Sequence, residues 1–193
     1  MIIEFIGPSG AGKSTVAKQL ANKLNKNGYA ALIEDDYFQE VSNSNKWHGF
    51  IIECWHRLLF SLKHIGLIYF VFSSQFTRPI SLQHRYWVLR NFLRSAGRYH
   101  LISHKLEANK IFIFDEGLFQ RATALFSSEN EIAAIGTLGN YVSKLPSPGI
   151  LLHIYAPVEI CVERLQDRTL PRRVQGLGQM EIISFVENQS HVL

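Results

Sequence analysis

The sequence predicts an α/β fold with a doubly wound parallel sheet, and three features support this prediction. Short, continuous apolar runs recur along the chain. Longer stretches with helical periodicity separate these runs. A glycine-rich loop follows the first apolar run directly. Continuous apolar strands that alternate with helices are typical of a parallel sheet whose two faces are both covered.

The N-terminal half begins this alternation. Ile2–Ile6 is an apolar run that predicts a buried strand, and Lys13–Asn27 predicts a helix that Gly28 closes. A second strand is expected over Ala30–Glu34. The following residues, 48–108, are expected to be mostly helical.

The C-terminal half repeats the pattern. Ile111–Phe114 is a clean apolar run that predicts a strand, and a helix is expected from about Leu118. Ile150–Tyr155 predicts a further strand. After Pro157, the residues Val158–Arg168 predict a helix.

Length and composition favour a single domain. The chain has 193 residues, of which 47% are apolar, and this is enough for one core. No Pro-, Gly- or Ser-rich linker and no internal repeat divides the sequence. We therefore expect one domain over residues 1–193, with a helical insertion at about 46–108 and a lid at about 164–175.

The N-terminus and the cysteines favour a cytoplasmic protein. The chain opens on the first strand and lacks the basic region and cleavage site of a signal peptide. Cys54 and Cys161 form no metal-spaced pair and imply no disulfide framework. A reducing, cytoplasmic setting is the expectation.

One apolar stretch, Leu58–Phe76, tests the possibility of a membrane span. Lys63 and His64 interrupt it, whereas a spanning helix needs roughly 20 apolar residues in succession. We expect a core helix here and no transmembrane segment. An interfacial membrane helix is the alternative.

Charge is concentrated in the middle of the chain. Residues 46–105 hold nine Lys or Arg and one acid, Glu53, whereas the whole protein has a net charge of +4. The same stretch contains 12 of the 23 aromatic residues. The basic residues of this segment indicate contact with an anionic molecule, and its aromatic residues favour a planar one. No recognised nucleic-acid motif appears, so nucleic acid is not an expected partner.

The glycine-rich loop satisfies the pattern G-x-x-x-x-G-K-[ST] between a predicted strand and a predicted helix. Glycines let main-chain amides turn toward phosphate oxygens, and the helix N-terminus adds a positive dipole. Lys13 is expected to reach the β- and γ-phosphates, and Ser14 to offer its hydroxyl to Mg²⁺. The predicted nucleotide-binding residues are Gly7, Pro8, Ser9, Gly10, Ala11, Gly12, Lys13, Ser14 and Thr15.

Carboxylates follow two of the predicted strands. Asp35 lies at the end of the second strand, where it is placed to accept the proton of an attacking hydroxyl, although capping of the next helix is the simpler alternative. Asp115 ends an apolar strand as a Walker B carboxylate does, and is the predicted second Mg²⁺ ligand. Glu116 and Arg121 follow it and are predicted to contact the acceptor.

Arginines complete the candidate site. Arg168 and Arg172 fall in the predicted lid, where guanidinium groups that close over a triphosphate would stabilise the transferring group. A solvated charged face is the alternative. Arg90, Arg94 and Arg98 recur every four residues, and with Arg78 before them they are candidates for binding an anionic acceptor.

Together these residues resemble the P-loop nucleoside and nucleotide kinases. The sequence Gly7–Thr15 looks like their phosphate loop, and Asp35–Phe38 is similar to the strand-end Asp motif of uridine and nicotinamide riboside kinases. The resemblance implies Asp35 as the base. Asp115–Gly117 is similar in position to the Asp-Arg motif of thymidylate kinases, but Glu116 replaces the arginine, and Arg121 is expected to supply that charge.

The sequence therefore predicts an ATP- and Mg²⁺-dependent kinase with a nucleotide kinase-like P-loop NTPase fold. Its predicted partner is a small-molecule phosphate acceptor, a nucleoside or nucleotide by resemblance, and a homodimer is compatible with the sequence. The resemblance is weak over residues 46–108, where such kinases bind the acceptor. Two alternatives stay open: a P-loop ATPase or switch, and a binding module whose basic segment docks on anionic lipid or nucleic acid.

Overall fold

The computed structural model describes residues 1–44, 46–106, 110–128, 131–132, 135–167, 176 and 178–193. A four-stranded parallel sheet in the order β2-β3-β1-β6 lies at its centre, and a short antiparallel pair, β4-β5, lies apart from it. The strands are β1 (Ile2–Ile6), β2 (Ala30–Ile33), β3 (Lys110–Phe114), β4 (Ser127–Ser128), β5 (Glu131–Ile132) and β6 (Ile150–His153).

Helices surround this sheet, and the segment predicted as mostly helical contains three of them in succession. The helices are α1 (Lys13–Lys26), α2 (Glu34–Ser44), α3 (Lys46–Lys63), α4 (Ile65–Phe76), α5 (Leu82–His104), α6 (Arg121–Phe126), α7 (Ile135–Val142), α8 (Val158–Gln166) and α9 (Gln179–Val192). The predicted α/β class with a parallel sheet is confirmed, and the architecture is that of a P-loop NTPase.

The two central strands, β1 and β3, are buried on both faces, whereas the edge strands β2 and β6 are partly exposed. On β3, Ile111 and Ile113 pack with Ala17 of α1. The intervening Phe112 and Phe114 belong to the apolar cluster on the other face, which includes side chains of α5. Because successive side chains of a strand point to opposite faces, a strand covered on both sides is mostly apolar along its length.

The parallel pairing brings the functional loops together. The central strand β1 pairs with β3 through Glu4 and Phe114, and with β6 through Ile6 and His153. Strand β2 pairs with β3 on the far side. The loops that follow β1, β2 and β3 therefore leave the sheet at the same edge, where ligands bind in folds of this kind.

Several boundaries differ from the predicted ones. Strand β2 ends at Ile33, because Glu34 begins a helix whose first turn is acidic and suits the positive end of the helix dipole. The helix expected from Leu118 begins only at Arg121. A turn precedes this helix, and the buried Glu4 holds it. The Glu4 carboxylate accepts hydrogen bonds from the main-chain N–H groups of Phe119 at 2.6 Å and Gln120 at 3.1 Å.

In the described residues, no single helix is both long and apolar enough to cross a membrane. The stretches Gly49–Lys63 and Ile65–Phe76 reach the length and composition of a span only when taken together, and a bend of 95° separates them.

Candidate active site

The P-loop connects β1 to α1, and its backbone requires glycine at three positions, Gly7, Gly10 and Gly12. A Cβ atom on Gly7 would meet the carbonyl oxygen of Ile154. Gly10 and Gly12 have φ angles of 87° and 96°, a region that other residues rarely adopt. A Cβ atom on Gly10 would also lie 2.3 Å from the carbonyl oxygen of Cys161. The glycine pattern in the sequence thus reflects both the turn and its close approach to α8.

The N-terminus of α1 is prepared for an anion. No side chain caps it at Gly12, and its first turn contains no acid, so no residue of the helix itself neutralises its positive end. The buried Lys13 folds back over the loop, where its Nζ donates to the carbonyl oxygens of Gly7 at 2.7 Å and Pro8 at 3.0 Å. This ammonium group would meet phosphate oxygens that enter the loop.

The two predicted metal ligands are in contact. The Ser14 hydroxyl donates to Asp115 Oδ2 at 2.6 Å, although the two residues are far apart in the sequence. Burial raises the pKa of Asp115, and the hydrogen bond from Ser14 opposes the shift. A hydroxyl oxygen beside a partly desolvated carboxylate forms a pair of oxygen ligands that suits Mg²⁺.

Two further carboxylates complete this cluster. Oxygen atoms of Glu34, Asp35 and Asp115 lie within 4.8 Å of one another. Three convergent carboxylates with one nearby hydroxyl fit the oxygen-only coordination of Mg²⁺. Glu34 was missed in the sequence because it was expected to end β2, whereas its buried side chain stands at the start of α2.

Arg98 neutralises much of the acidic cluster. Its NH1 atom lies 2.5 Å from Glu34 Oε1 and 3.1 Å from Asp35 Oδ1, and its Nε donates to Glu53 Oε1 at 2.7 Å. Burial raises the pKa of Glu34 to about 7 despite this partner. The guanidinium also lies over the ring of Phe38, 4.4 Å from its centroid. Arg98 is thus structural in this conformation.

A cavity of about 470 Å³ opens in front of the P-loop. Asp35 and Glu34 both line this cavity, but the side chain of Asp35 is 59% exposed, whereas that of Glu34 is buried against Arg98. The opposite wall comes from one face of α5. The residues on that wall are Trp87, Asn91, Arg94, Ser95 and Arg98.

Two of the residues predicted to contact the acceptor lie on this cavity as an ion pair. Arg121 NH1 is 3.3 Å from Glu116 Oε2, and Arg121 Nε donates to Ser95 Oγ at 2.9 Å. Arg121 therefore joins the loop after β3 to the wall formed by α5. The pair presents both a cation and an anion to the cavity.

The structure does not bring Arg78 to this cavity. Its guanidinium donates to the carbonyl oxygen of Leu125 at 2.5 Å, and Arg78 is absent from the cavity walls. The predicted lid residues Arg168 and Arg172 lie outside the described residues. The neighbouring Arg164 of α8 is described, and its NH1 is 3.4 Å from the carbonyl oxygens of Gly10 and Ala11.

Two glutamines hold the P-loop, and sequence reasoning assigned neither of them this role. Gln120 exchanges hydrogen bonds with the main chain of Gly7. Gln189 of α9 accepts the Ser9 amide at 2.7 Å. Only the position of Gln120, shortly after a functional strand end, was a usable signal. For Gln189 the sequence offered none.

The arrangement combines the elements of phosphoryl-transfer chemistry. A P-loop and a lysine face a group of carboxylates, and a separate polar wall borders the same cavity. Positioning and charge neutralisation are the main contributions a protein makes to such transfers.

Comparison with known proteins supports the fold assignment. A family model described as an AAA domain matches residues 2–180. No curated protein matches the chain significantly.

Solved structures of deoxyadenosine kinase from M. mycoides align at 17% identity. The structure with products dCMP and a flexible dCDP bound has a TM-score of 0.45, with 99% of this chain and 82% of that chain covered. The structure with bound dATP has a TM-score of 0.44, with 99% and 83% covered. These structural similarities are too low to support an assignment of function.

The family match spans nearly the whole sequence and includes the P-loop, the strand β3 that precedes Asp115 and the helix α8. The chain therefore belongs to this AAA domain family of P-loop nucleotide-binding proteins.

Proposed function

We propose that this protein is a Mg²⁺-dependent kinase that transfers the γ-phosphoryl group of ATP to a hydroxyl or phosphate oxygen of a small acceptor. The observation that carries the proposal is the cavity between the P-loop and α5. Its P-loop side is suited to a triphosphate, and Asp35 stands at its edge. The same cavity extends from the P-loop to the wall of α5, where Trp87, Asn91 and Arg94 supply groups that an acceptor would contact and that an ATPase acting on water does not need.

Each side chain then has a defined task. Lys13 and the α1 amides hold the phosphates, and Ser14 and Asp115 hold Mg²⁺, with Glu34 beside them. When bound, Mg²⁺ would neutralise charge on the phosphate oxygens. Asp35 accepts the proton of the acceptor, because it is the exposed acid after β2 that lines the cavity, whereas Glu34 is buried and Asp36 is not among the lining residues.

The wall of α5 favours a planar, polar acceptor. Trp87 and Asn91 are one helical turn apart, so an aromatic face and an amide group border the same part of the cavity. Aromatic stacking and amide hydrogen bonds are typical means of holding a nucleobase. Arg94, whose side chain is 48% exposed, adds a cation that a phosphate would meet. Nucleosides and nucleoside monophosphates are therefore the acceptors to test first.

ADP release with and without acceptors tests this function. The purified protein is incubated with ATP or GTP and Mg²⁺, alone and with nucleosides, nucleoside monophosphates, sugars and vitamins in turn. We expect one class of acceptor to raise ADP release at least tenfold, together with a phosphorylated product visible by mass spectrometry. Lys13→Ala is the inactive control. Equal ADP release in all samples would instead identify an ATPase.

A further inference from the structure

Helix α3 has an outer face made of large apolar side chains. Between Gly49 and Leu62, every exposed residue of this helix is large and apolar. These residues are Phe50, Ile51, Trp55, Leu58 and Leu62, and each is between 50% and 64% exposed. Ile51, Trp55, Leu58 and Leu62 follow one another at intervals of three or four residues, and Phe50 adjoins Ile51, so the set lies on one side of the helix. Tyr69 of α4, 75% exposed, follows beyond the bend. We call this set the outer apolar face.

The inner face of α3 has the opposite character. It packs on α5, where Glu53 is bonded to Arg98 at 2.7 Å and His56 Nδ1 lies 2.9 Å from His100 Nδ1. Ion pairs and histidines are thus turned inward, while leucine and tryptophan are turned outward. A surface helix in water normally has the reverse distribution.

Charge indicates what covers this face. The segment 46–105 carries a net charge of +8 with Glu53 as its only acid, and that carboxylate is engaged by Arg57 and Arg98. Lys63, at the end of α3, and Arg90, on α5, are exposed. Pairing of two copies through this face would bring two positively charged segments together. An anionic surface would be attracted instead.

Aromatic composition favours a lipid surface in particular. Trp55 and Tyr69 combine an apolar ring with a polar group, and such side chains concentrate where hydrocarbon meets lipid headgroups. Helices that lie in this zone pair an apolar face with nearby Lys or Arg. The bend of 95° between the two stretches suits a segment that lies along a membrane rather than through it.

We propose that the outer apolar face of α3 and α4 docks this protein on an anionic lipid bilayer, with the two helices lying in its interface. Helix α4 need not leave the fold for this. Its inner side chains Leu67 and Val71 remain in the core, and Gln75 Nε2 donates to the Leu125 carbonyl oxygen at 2.8 Å. The surface is independent of the proposed kinase reaction.

Vesicle cosedimentation tests this proposal on the full-length protein. One set of vesicles is phosphatidylcholine alone, and the other contains about one third phosphatidylglycerol. We expect at least tenfold stronger partitioning onto the anionic vesicles, reduced by salt because the charge attraction is screened. Tryptophan emission should shift to the blue on binding as Trp55 enters an apolar environment.

The double variant L58E/L62E is the decisive comparison. Both side chains are at least half exposed, so we expect an unchanged fold by circular dichroism and at least a tenfold loss of partitioning. The matched control is Ile135→Glu on α7, an apolar residue that is 87% exposed outside this face, and it should bind vesicles like the wild type. The absence of binding to anionic vesicles overturns the proposal. So does a stable dimer that L58E/L62E converts to a monomer, because the face would then be a self-association interface.

Discussion

The side-chain amide of Gln120 pairs with both main-chain polar groups of Gly7. The Gly7 N–H donates to Gln120 Oε1 at 2.9 Å, and Gln120 Nε2 donates to the Gly7 carbonyl oxygen at 3.0 Å. The same carbonyl oxygen accepts a hydrogen bond from Lys13 Nζ. Gln120 therefore fixes the first residue of the P-loop and one of the groups that positions the lysine.

Replacement of Gln120 by alanine should loosen this loop. The buried Gly7 N–H would lose its partner, and an unsatisfied buried group costs about 1–3 kcal/mol. We expect urea unfolding to show a loss of that size and ATP affinity to fall several-fold. Gln19→Ala, at an exposed position on α1, is the control. Unchanged stability and affinity in Gln120→Ala would show that the pairing is not needed.

The contact between Ser14 and Asp115 makes a prediction about metal dependence. Ser14→Ala removes one ligand of the proposed Mg²⁺ site, so it should raise the Mg²⁺ concentration needed for half-maximal activity by about tenfold. Asp115→Asn should raise this concentration further. Chelation by EDTA should abolish activity in the wild type. Ser143→Ala, an exposed serine after α7, should behave like the wild type. An unchanged Mg²⁺ requirement in both site variants would remove this pair from the metal site.

The acids that follow β2 can be separated by three matched amide substitutions. Asp35 is the proposed base, so Asp35→Asn should reduce the rate of phosphoryl transfer by about 10²- to 10⁴-fold and should still bind ATP. Asp36→Asn should remain active, because Asp36 is exposed and absent from the cavity walls. Glu34→Gln should chiefly weaken Mg²⁺ binding. Full transfer in Asp35→Asn, or a loss confined to Glu34→Gln, would reassign the base.

Local patterns explain which parts of this site the sequence could predict. The P-loop lies within nine consecutive residues, and Asp115 directly follows an apolar strand. In both cases the chemistry depends on short spacing that is visible without the fold. The fold class can also be predicted from the sequence, because a strand buried on both faces is mostly apolar along its length.

Long-range contacts account for what the sequence did not predict. Arg90, Arg94 and Arg98 have identical spacing, yet Arg90 is exposed, Arg94 lines the cavity and Arg98 is buried among carboxylates. Their roles depend on which element packs against each turn of α5, and periodicity carries no such information. Gln189 likewise reaches Ser9 across 180 residues of sequence.

The close packing around Gly117, a glycine outside the P-loop, predicts that a larger residue there would destabilise the protein. A Cβ atom on Gly117 would lie 2.4 Å from the carboxyl carbon of Glu4, which is fully buried and holds the turn before α6. Gly117→Ala should therefore destabilise the protein by about 1–3 kcal/mol, since neither group can move without losing contacts. Gly139→Ala is a control in which the free energy of unfolding should change in the opposite direction. It has open space around it in α7, and alanine there should stabilise by about 0.5–1 kcal/mol. Equal unfolding midpoints in the two variants would contradict this packing.

The histidines between α3 and α5 predict a loss of stability in acid. His56 Nδ1 and His100 Nδ1 lie 2.9 Å apart. One of these two nitrogen atoms must therefore carry the hydrogen of the hydrogen bond, and the other must be unprotonated to accept it. Burial, with His104, His56, Lys63 and His64 nearby, lowers the pKa of His100 to about 4 from its ordinary value of 6.5. Below pH 6.5 the unfolded chain therefore binds a proton that the folded protein does not.

Stability from this site should accordingly be complete above pH 6.5 and decline as the pH falls toward 4. Urea unfolding at a series of pH values should show a steeper decline for the wild type than for His100→Asn, which removes the titrating ring. The comparison is made between variants, because burial raises the pKa of Glu4 and Glu34 and gives the opposite dependence in both proteins. His191→Asn, at an exposed position of α9, should keep the wild-type slope. Parallel curves for the wild type and His100→Asn would mean that this histidine pair does not titrate on unfolding.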